Sequence, residues 1–218
     1  MRRPFHAALM MLLAIFLAGP GSLLGQEGSI KLPLPRLDGD VSVEKALLER
    51  RSVRSYKEEP LSLAEVSQLL WAAQGITEPK RGLRTAPSAR AIYLLEVYVI
   101  AANVTGLPAG MYRYRPRGHE LARVSEGDVR ADLFNAVRQP HVQSAPAALL
   151  IAGLTGKATN PEWMYLEAGH AAQNVYLQAV SLKLGTVVMA GFKPDAVKKE
   201  LRLPEGEQPI YVMPVGRK

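Results

Sequence analysis

The chain has 218 residues, room for one domain of ordinary size, and its 48% hydrophobic and 22% charged residues describe a globular rather than a disordered sequence. It contains no cysteine, which excludes disulfides, thiolate metal sites and a cysteine nucleophile. A formal charge of +7 suits an anionic ligand or simply a soluble surface, but no Lys/Arg run interleaved with aromatics points to nucleic acid.

In chain order, Arg2-Arg3 precedes an apolar run from Ala7 to Ala18, and Gly19, Pro20, Gly21 and Ser22 follow. A positive start, an apolar middle and a small-residue end make up a secretory signal, read here as residues 1–25. The run is shorter than the ~20 residues a spanning helix needs, although an uncleaved anchor is the other reading of the pattern. Arg2-Arg3-Pro4-Phe5 resembles the RRxF part of a twin-arginine signal. The expectation is export, with a periplasmic location and membrane contact only in transit.

Residues 26–41 hold Pro33, Pro35 and Gly39 and read as an extended arm, and residues 42–218 as the folded domain. Val43, Ala46 and Leu47 at helical spacing predict a helix over 42–50. Ser62-x-x-Glu65 is a capping box that opens a helix running to Gln74, with Gly75 as its stop. A polar, basic loop covers 76–90, and Ile92–Ala101 reads as a strand. Beyond the turn at 106–110, Met111–Tyr114 and Glu120–Val124 predict a hairpin, 128–138 a helix and 147–152 a buried strand. Asn160-Pro161 marks an N-cap and first-turn proline for a long Ala- and Gly-rich helix, expected to reach Leu184 and to stop at Gly185. Strand 186–189, helix 194–201 and strand 209–215 complete the chain. Helices and strands mix without regular βαβ alternation, which predicts an α+β fold.

Three segments carry possible chemistry. Arg50-Arg51-Ser52-Val53-Arg54 concentrates phosphate-binding donors with no acid among them, although such a run taken alone is more often a solvated face. Arg84–Arg90 is a loop containing Pro87, Ser88 and Ala89. The strand from Gly185 ends in Ala190-Gly191, where a missing side chain lets backbone approach a flat ligand, or simply makes a turn. His119, His141 and His170 have no metal-binding spacing, and His170 on the long helix reads as a core histidine. Trp71 and Trp163 read as packing residues, and Glu167 as the cap of a buried hydrogen-bond network.

The order of these segments resembles the nitroreductase family. Arg50-Arg51-Ser52-x-Arg54 resembles its phosphate-binding signature, and Ala86-Pro87-Ser88-Ala89 its second flavin loop. Met111-Tyr112-Arg113-Tyr114 with His119 and Leu121, and Glu167 through Asn174, are similar to motifs of the SagB-type dehydrogenase branch. Gly185-Thr186 to Gly191-Phe192 and Pro214-Val215-Gly216 resemble the family's C-terminal half. The resemblance implies a nitroreductase-like fold: a central, mostly antiparallel sheet flanked by helices, in a homodimer with FMN at its interface. It also implies an FMN-dependent oxidoreductase, with hydride passing through flavin N5 from NAD(P)H or another donor to a nitroaromatic or quinone-like acceptor. The alternative is an exported flavin carrier without turnover.

By position, the resemblance gives Arg50, Ser52 and Arg51 to the FMN phosphate and Arg54 to the N1/O2 edge of the ring. Pro87, Ser88 and Ala89 would line the cofactor from the partner chain, Ala190 and Gly191 would face N5, and Arg217 and Lys218 would add phosphate charge. No acid/base catalytic residue is assigned. The sequence departs from the branch where Arg90 replaces a usual glycine and Leu94 a frequent proline. It also lacks the Lys-Tyr pair of azoline-oxidising members, since Lys157 is followed by Ala158 and the next tyrosine is Tyr165.

Overall fold

A computed structural model describes residues 28–157 and 159–218. The expected signal and its cleavage site lie outside the described residues.

The arm begins with a short strand, β1 (Ile30–Lys31), and Ser42 caps α1 (Val43–Glu49) through its side chain. A two-residue strand, β2 (Leu61–Ser62), leads into α2 (Leu63–Gln74). Here the capping box forms as read: the Ser62 hydroxyl accepts from the Glu65 N–H and the Glu65 carboxylate accepts from the Ser62 N–H. The loop expected at 76–90 contains a small hairpin, β3 (Ile76–Glu78) with β4 (Leu83–Arg84), and a 3-10 turn at Ala89–Ala91.

Next come β5 (Leu95–Ala101), β6 (Val104–Thr105) and the hairpin of β7 (Gly110–Arg115) with β8 (Glu120–Glu126). Then follow α3 (Arg130–Val137), the single turn α4 (His141–Ser144), which the sequence reading lacked, and β9 (Ala147–Leu154). The chain closes with α5 (Glu162–Ser181), β10 (Leu184–Thr186), α6 (Pro194–Glu200) and β11 (Glu207–Arg217).

Seven strands form one sheet in the order β1-β8-β7-β5-β9-β11-β10, and every pairing in it is antiparallel. The central strands explain the uninterrupted apolar runs of the sequence. On β5, Val97 and Val99 face α2 and α5, while Tyr98 and Ile100 face α3, α4 and α6. On β9, Leu149 and Ile151 take the first side and Ala148, Leu150 and Ala152 the second. A strand buried on both faces shows no polar alternation.

Two helix boundaries differ from expectation. Asn160 Oδ1 accepts from the Glu162 N–H at 2.9 Å, so it caps the helix, but Pro161 occupies the cap position itself. The C-terminal stop is Leu182 followed by Lys183, whose φ is +58°, and Gly185 lies inside β10. A non-glycine residue takes the left-handed turn, and the glycine serves packing instead.

Candidate cofactor site

The packing role of Gly185 builds the site. A Cβ there would stand 2.7 Å from the Val53 Cβ and Cγ1. Glycine therefore lets the segment after α1 lie flush against β10 as a short parallel bridge, Ser52 to Thr186, with the Val53 N–H donating to the Thr186 carbonyl at 2.9 Å. Tyr56 fastens the far end, its buried hydroxyl within 2.7 Å of the Val53 carbonyl and 3.0 Å of that of Pro214. Burial, and then the neighbouring Tyr176, push the Tyr56 hydroxyl far above the usual phenol range, so it remains a hydrogen-bond donor.

Tyr176 of α5 ties the two halves together, and nothing in its sequence context announces that role. Its hydroxyl lies 3.1 Å from Ser52 Oγ and accepts from the Val188 N–H at 2.8 Å, while Arg50 sits 5.1 Å over its ring. Arg51 donates to the carbonyls of Leu48 and Arg50 at 2.8 Å, which sets the turn. Among the described residues, no carboxylate lies within 4.0 Å of the guanidinium of Arg50, Arg51 or Arg54; the nearby acids Glu49 and Glu65 pair with Lys45 and Arg217. A cavity of about 150 Å³ opens beside this row; Arg51, Lys218, Glu49, Tyr176 and Thr186 line it together with apolar Val53, Ala179, Val180 and Leu184.

Beyond β10 the chain runs on through Met189, an isolated bridge to Val212, to Ala190 and Gly191, both exposed, and no atom stands within 4 Å of where a Gly191 Cβ would be. His141 Nε2 lies 3.0 Å from Met189 Sδ. Burial, and then the nearby charge of Arg54, hold its imidazole below the usual histidine range, so it is neutral at pH 7. The arginine row and the Ala190-Gly191 backbone therefore share one edge of the molecule. Unpaired guanidiniums, a hydroxyl and an open backbone fit a phosphate carrying a flat ring, and the donor set is compatible with FMN.

The other carried-over residues lie elsewhere. Ser88 points inward: its hydroxyl donates to Glu167 at 2.6 Å and accepts from the Tyr93 N–H at 2.9 Å. Buried Glu167 also accepts from Gln74 Nε2 and the Leu94 N–H, as expected of a network cap. Pro87 and Ala89 flank this anchor at the surface. Glu167 and Tyr176 are nine residues apart on α5, so loop 87–89 sits about 14 Å along the helix from the arginine row at 1.5 Å per residue.

Arg217 is engaged by Glu65 at 2.7 and 3.1 Å and lies 3.8 Å from Glu59, so its charge is already matched. Burial pushes the Glu65 carboxyl up, but bonds from the Ser62 N–H, Arg217 and the Ser62 hydroxyl prevail and hold it below its usual range. His170 is exposed rather than in the core, with Nδ1 3.1 Å from the Pro87 carbonyl, because its side of α5 faces away from the sheet. The backbone at Arg90 suits the glycine expected at this position. Its φ is +53°, a left-handed conformation that glycine adopts without strain, and its guanidinium lies 5.7 Å over Trp163. Lys157 donates to the Tyr93 carbonyl at 3.0 Å and Tyr165 accepts from Gln208 at 2.8 Å, so the two make no acid/base pair.

Comparison with known proteins bears on the family and the fold. The nitroreductase family model matches residues 47–217. A candidate nitroreductase of Methanocaldococcus jannaschii is 39% identical over 197 residues, 87% of this chain and 98% of the relative. A crystal structure of a candidate nitroreductase from Ralstonia eutropha superposes with a TM-score of 0.76 at 31% identity, covering 89% of this chain and 91% of its own. A trifolitoxin operon protein of Rhizobium leguminosarum is 29% identical over 122 residues, 49% of this chain and 34% of the relative.

Proposed function

The chain belongs to the nitroreductase family, and on that premise we propose that it is an exported, FMN-dependent oxidoreductase acting on small organic acceptors. The observation that carries this reading is the docking of the Arg50–Arg54 row on β10, which puts unpaired cations on the edge that ends in open backbone at Ala190-Gly191. Arg50, Arg51 and Ser52 would hold the phosphate, with Tyr176 fixing the rotamers of Arg50 and Ser52. Arg54 would place positive charge against the ring, which favours its reduced, anionic form. The bare Gly191 backbone would let a planar partner close in. Bound there, FMN would supply two-electron chemistry at N5, in alternating half-reactions with a donor and an acceptor.

We further propose a homodimer. Leu47, Leu48 and Leu166 are 53%, 73% and 62% exposed, on the adjoining helices α1 and α5. A second copy covering the outer sides of both helices would bury them, and it could bring its Pro87–Ala89 loop toward the first copy's arginines. The hairpin and central-helix motifs favour membership of the SagB-type branch, whereas the places of Lys157 and Tyr165 speak against azoline oxidation. After export through the residue 1–25 signal, NAD(P)H is scarce, and a quinol or redox protein is the donor we propose.

The purified mature protein should be yellow and bleach on reduction. Rates with NADH, NADPH and quinol analogues would identify the donor. Protein that is yellow but that no donor bleaches would favour a flavin carrier, and colourless protein that ignores added FMN would overturn both readings.

A further inference from the structure

A depression of about 590 Å³ opens directly beside Gly191. One wall is the last turn of α3 and its cap residue Arg138; the other is Gly191-Phe192-Lys193 leading into α6. The two walls are held in register by Leu133 and Val137 of α3 packed with Val197 of α6. Arg138 ends α3 in the left-handed conformation, φ +55°, with its N–H on the Phe134 carbonyl at 2.8 Å. Lys193 is the residue before the first-turn Pro194. Both cations are exposed, and among the described residues neither lies within 4.0 Å of a carboxylate. Phe192, Val137 and Ala196 supply an apolar floor, and no acid lines the depression: Asp132 of α3 lines a different groove and Asp195 of α6 lies outside the lining. Its volume is in the range of small-molecule sites.

We propose that this depression is the acceptor subsite, and that Arg138 and Lys193 make it select planar aromatic carboxylates over their uncharged counterparts. The proposal rests on the reading of Ala190-Gly191 as the flavin-facing backbone. A flat ring would lie over Phe192 with its reducible end toward Gly191 and its carboxylate toward the two cations. Two exposed cations beside an open depression also raise the local concentration of anions, an effect that salt screens.

The test is equilibrium binding of 4-nitrobenzoate and 4-nitrobenzamide, a near-isosteric pair, to the oxidised FMN-loaded protein without reductant. Calorimetry and the change in flavin absorbance give the two affinities. The expected preference for the anion is about fivefold to tenfold at low ionic strength, the combined effect of two exposed ion pairs. It should fall below about twofold in concentrated salt, and equally in the Arg138→Gln/Lys193→Gln double variant, while Arg138→Lys alone retains it. Both side chains are exposed, so the variants should fold, as circular dichroism would verify.

Equal affinities in the unmodified protein, no binding of either ligand at millimolar concentration, or a preference that survives the double variant would each overturn the proposal. The two readings fail separately. A protein that takes no FMN but still prefers the benzoate by calorimetry sinks the flavin reading, and with it the acceptor role, and leaves only an aromatic-carboxylate site at Arg138 and Lys193. One that turns over with a donor but shows no preference does the reverse.

Discussion

Substituting Gly185 by alanine would test whether the arginine row owes its position to a missing side chain. The new Cβ would meet Val53 Cβ and Cγ1 at 2.7 Å and Cγ2 at 3.0 Å, against ordinary contact distances beyond 3.4 Å. Val53 or β10 must then give way by roughly 1 Å, and overpacking of this kind costs about 1–3 kcal/mol. At this chain length each kcal/mol lowers the melting temperature by about 2–4 °C. Since Val53 lies between Ser52 and Arg54, the shift should also misplace the phosphate donors. Losing one charge-assisted bond costs about 1.5–3 kcal/mol, which is roughly a tenfold to hundredfold weaker FMN affinity. Fluorescence titration of FMN would read the affinity, and a thermal melt the stability. Val53→Gly in the same background removes all three contacting carbons and should recover part of the FMN affinity, a coupling that a double-mutant cycle measures. An alanine variant with unchanged melting temperature and FMN affinity would refute the account of how the site is built.

Ser88→Ala should destabilise the protein by about 1–3 kcal/mol in chemical denaturation, because it strips one donor from buried Glu167 and the acceptor from the Tyr93 N–H. His119 gives a pH signature. Its Nε2 lies 2.9 Å from the Pro33 carbonyl and Nδ1 2.9 Å from the Tyr114 hydroxyl, so it clamps the arm to the β7–β8 hairpin, and burial holds its imidazole below the usual value of 6.5. With the folded value depressed, this contribution is full above pH 6.5 and is lost as pH falls toward the folded value. His119→Gln should flatten the stability profile in that window, as denaturation at several pH values would reveal. Glu65 acts in a lower window: its contribution is present above 4.5 and is lost as pH falls through its depressed folded value. Arg217→Met should weaken the protein at neutral pH and reduce its acid dependence below pH 4.5, measured by melting temperature.

Much of the fold was legible because local rules set it. Ser62 and Glu65 form a capping box from their spacing alone, and the apolar runs at 95–101 and 147–154 are strands buried on both faces. The motif order also placed Arg50–Arg54 and Ala190-Gly191 on the page as site residues, and the two segments share an edge. The end of α5 was misread because a glycine after a helix normally signals a left-handed stop. Here Lys183 takes that conformation and Gly185 answers a contact with Val53, more than a hundred residues away.

What the sequence determined by itself is whatever depends on neighbours along the chain: caps, periodicity, and the clustering of cations at 50–54. Only the tertiary structure decided which donors are free. It turned Ser88 inward to Glu167, matched Arg217 with Glu65, set His170 at the surface, and used Tyr176 to join Ser52 to Val188. The physical reason is that a polar group bonds whatever the packed core brings within about 3 Å, and that partner is fixed by contacts between residues far apart in the chain.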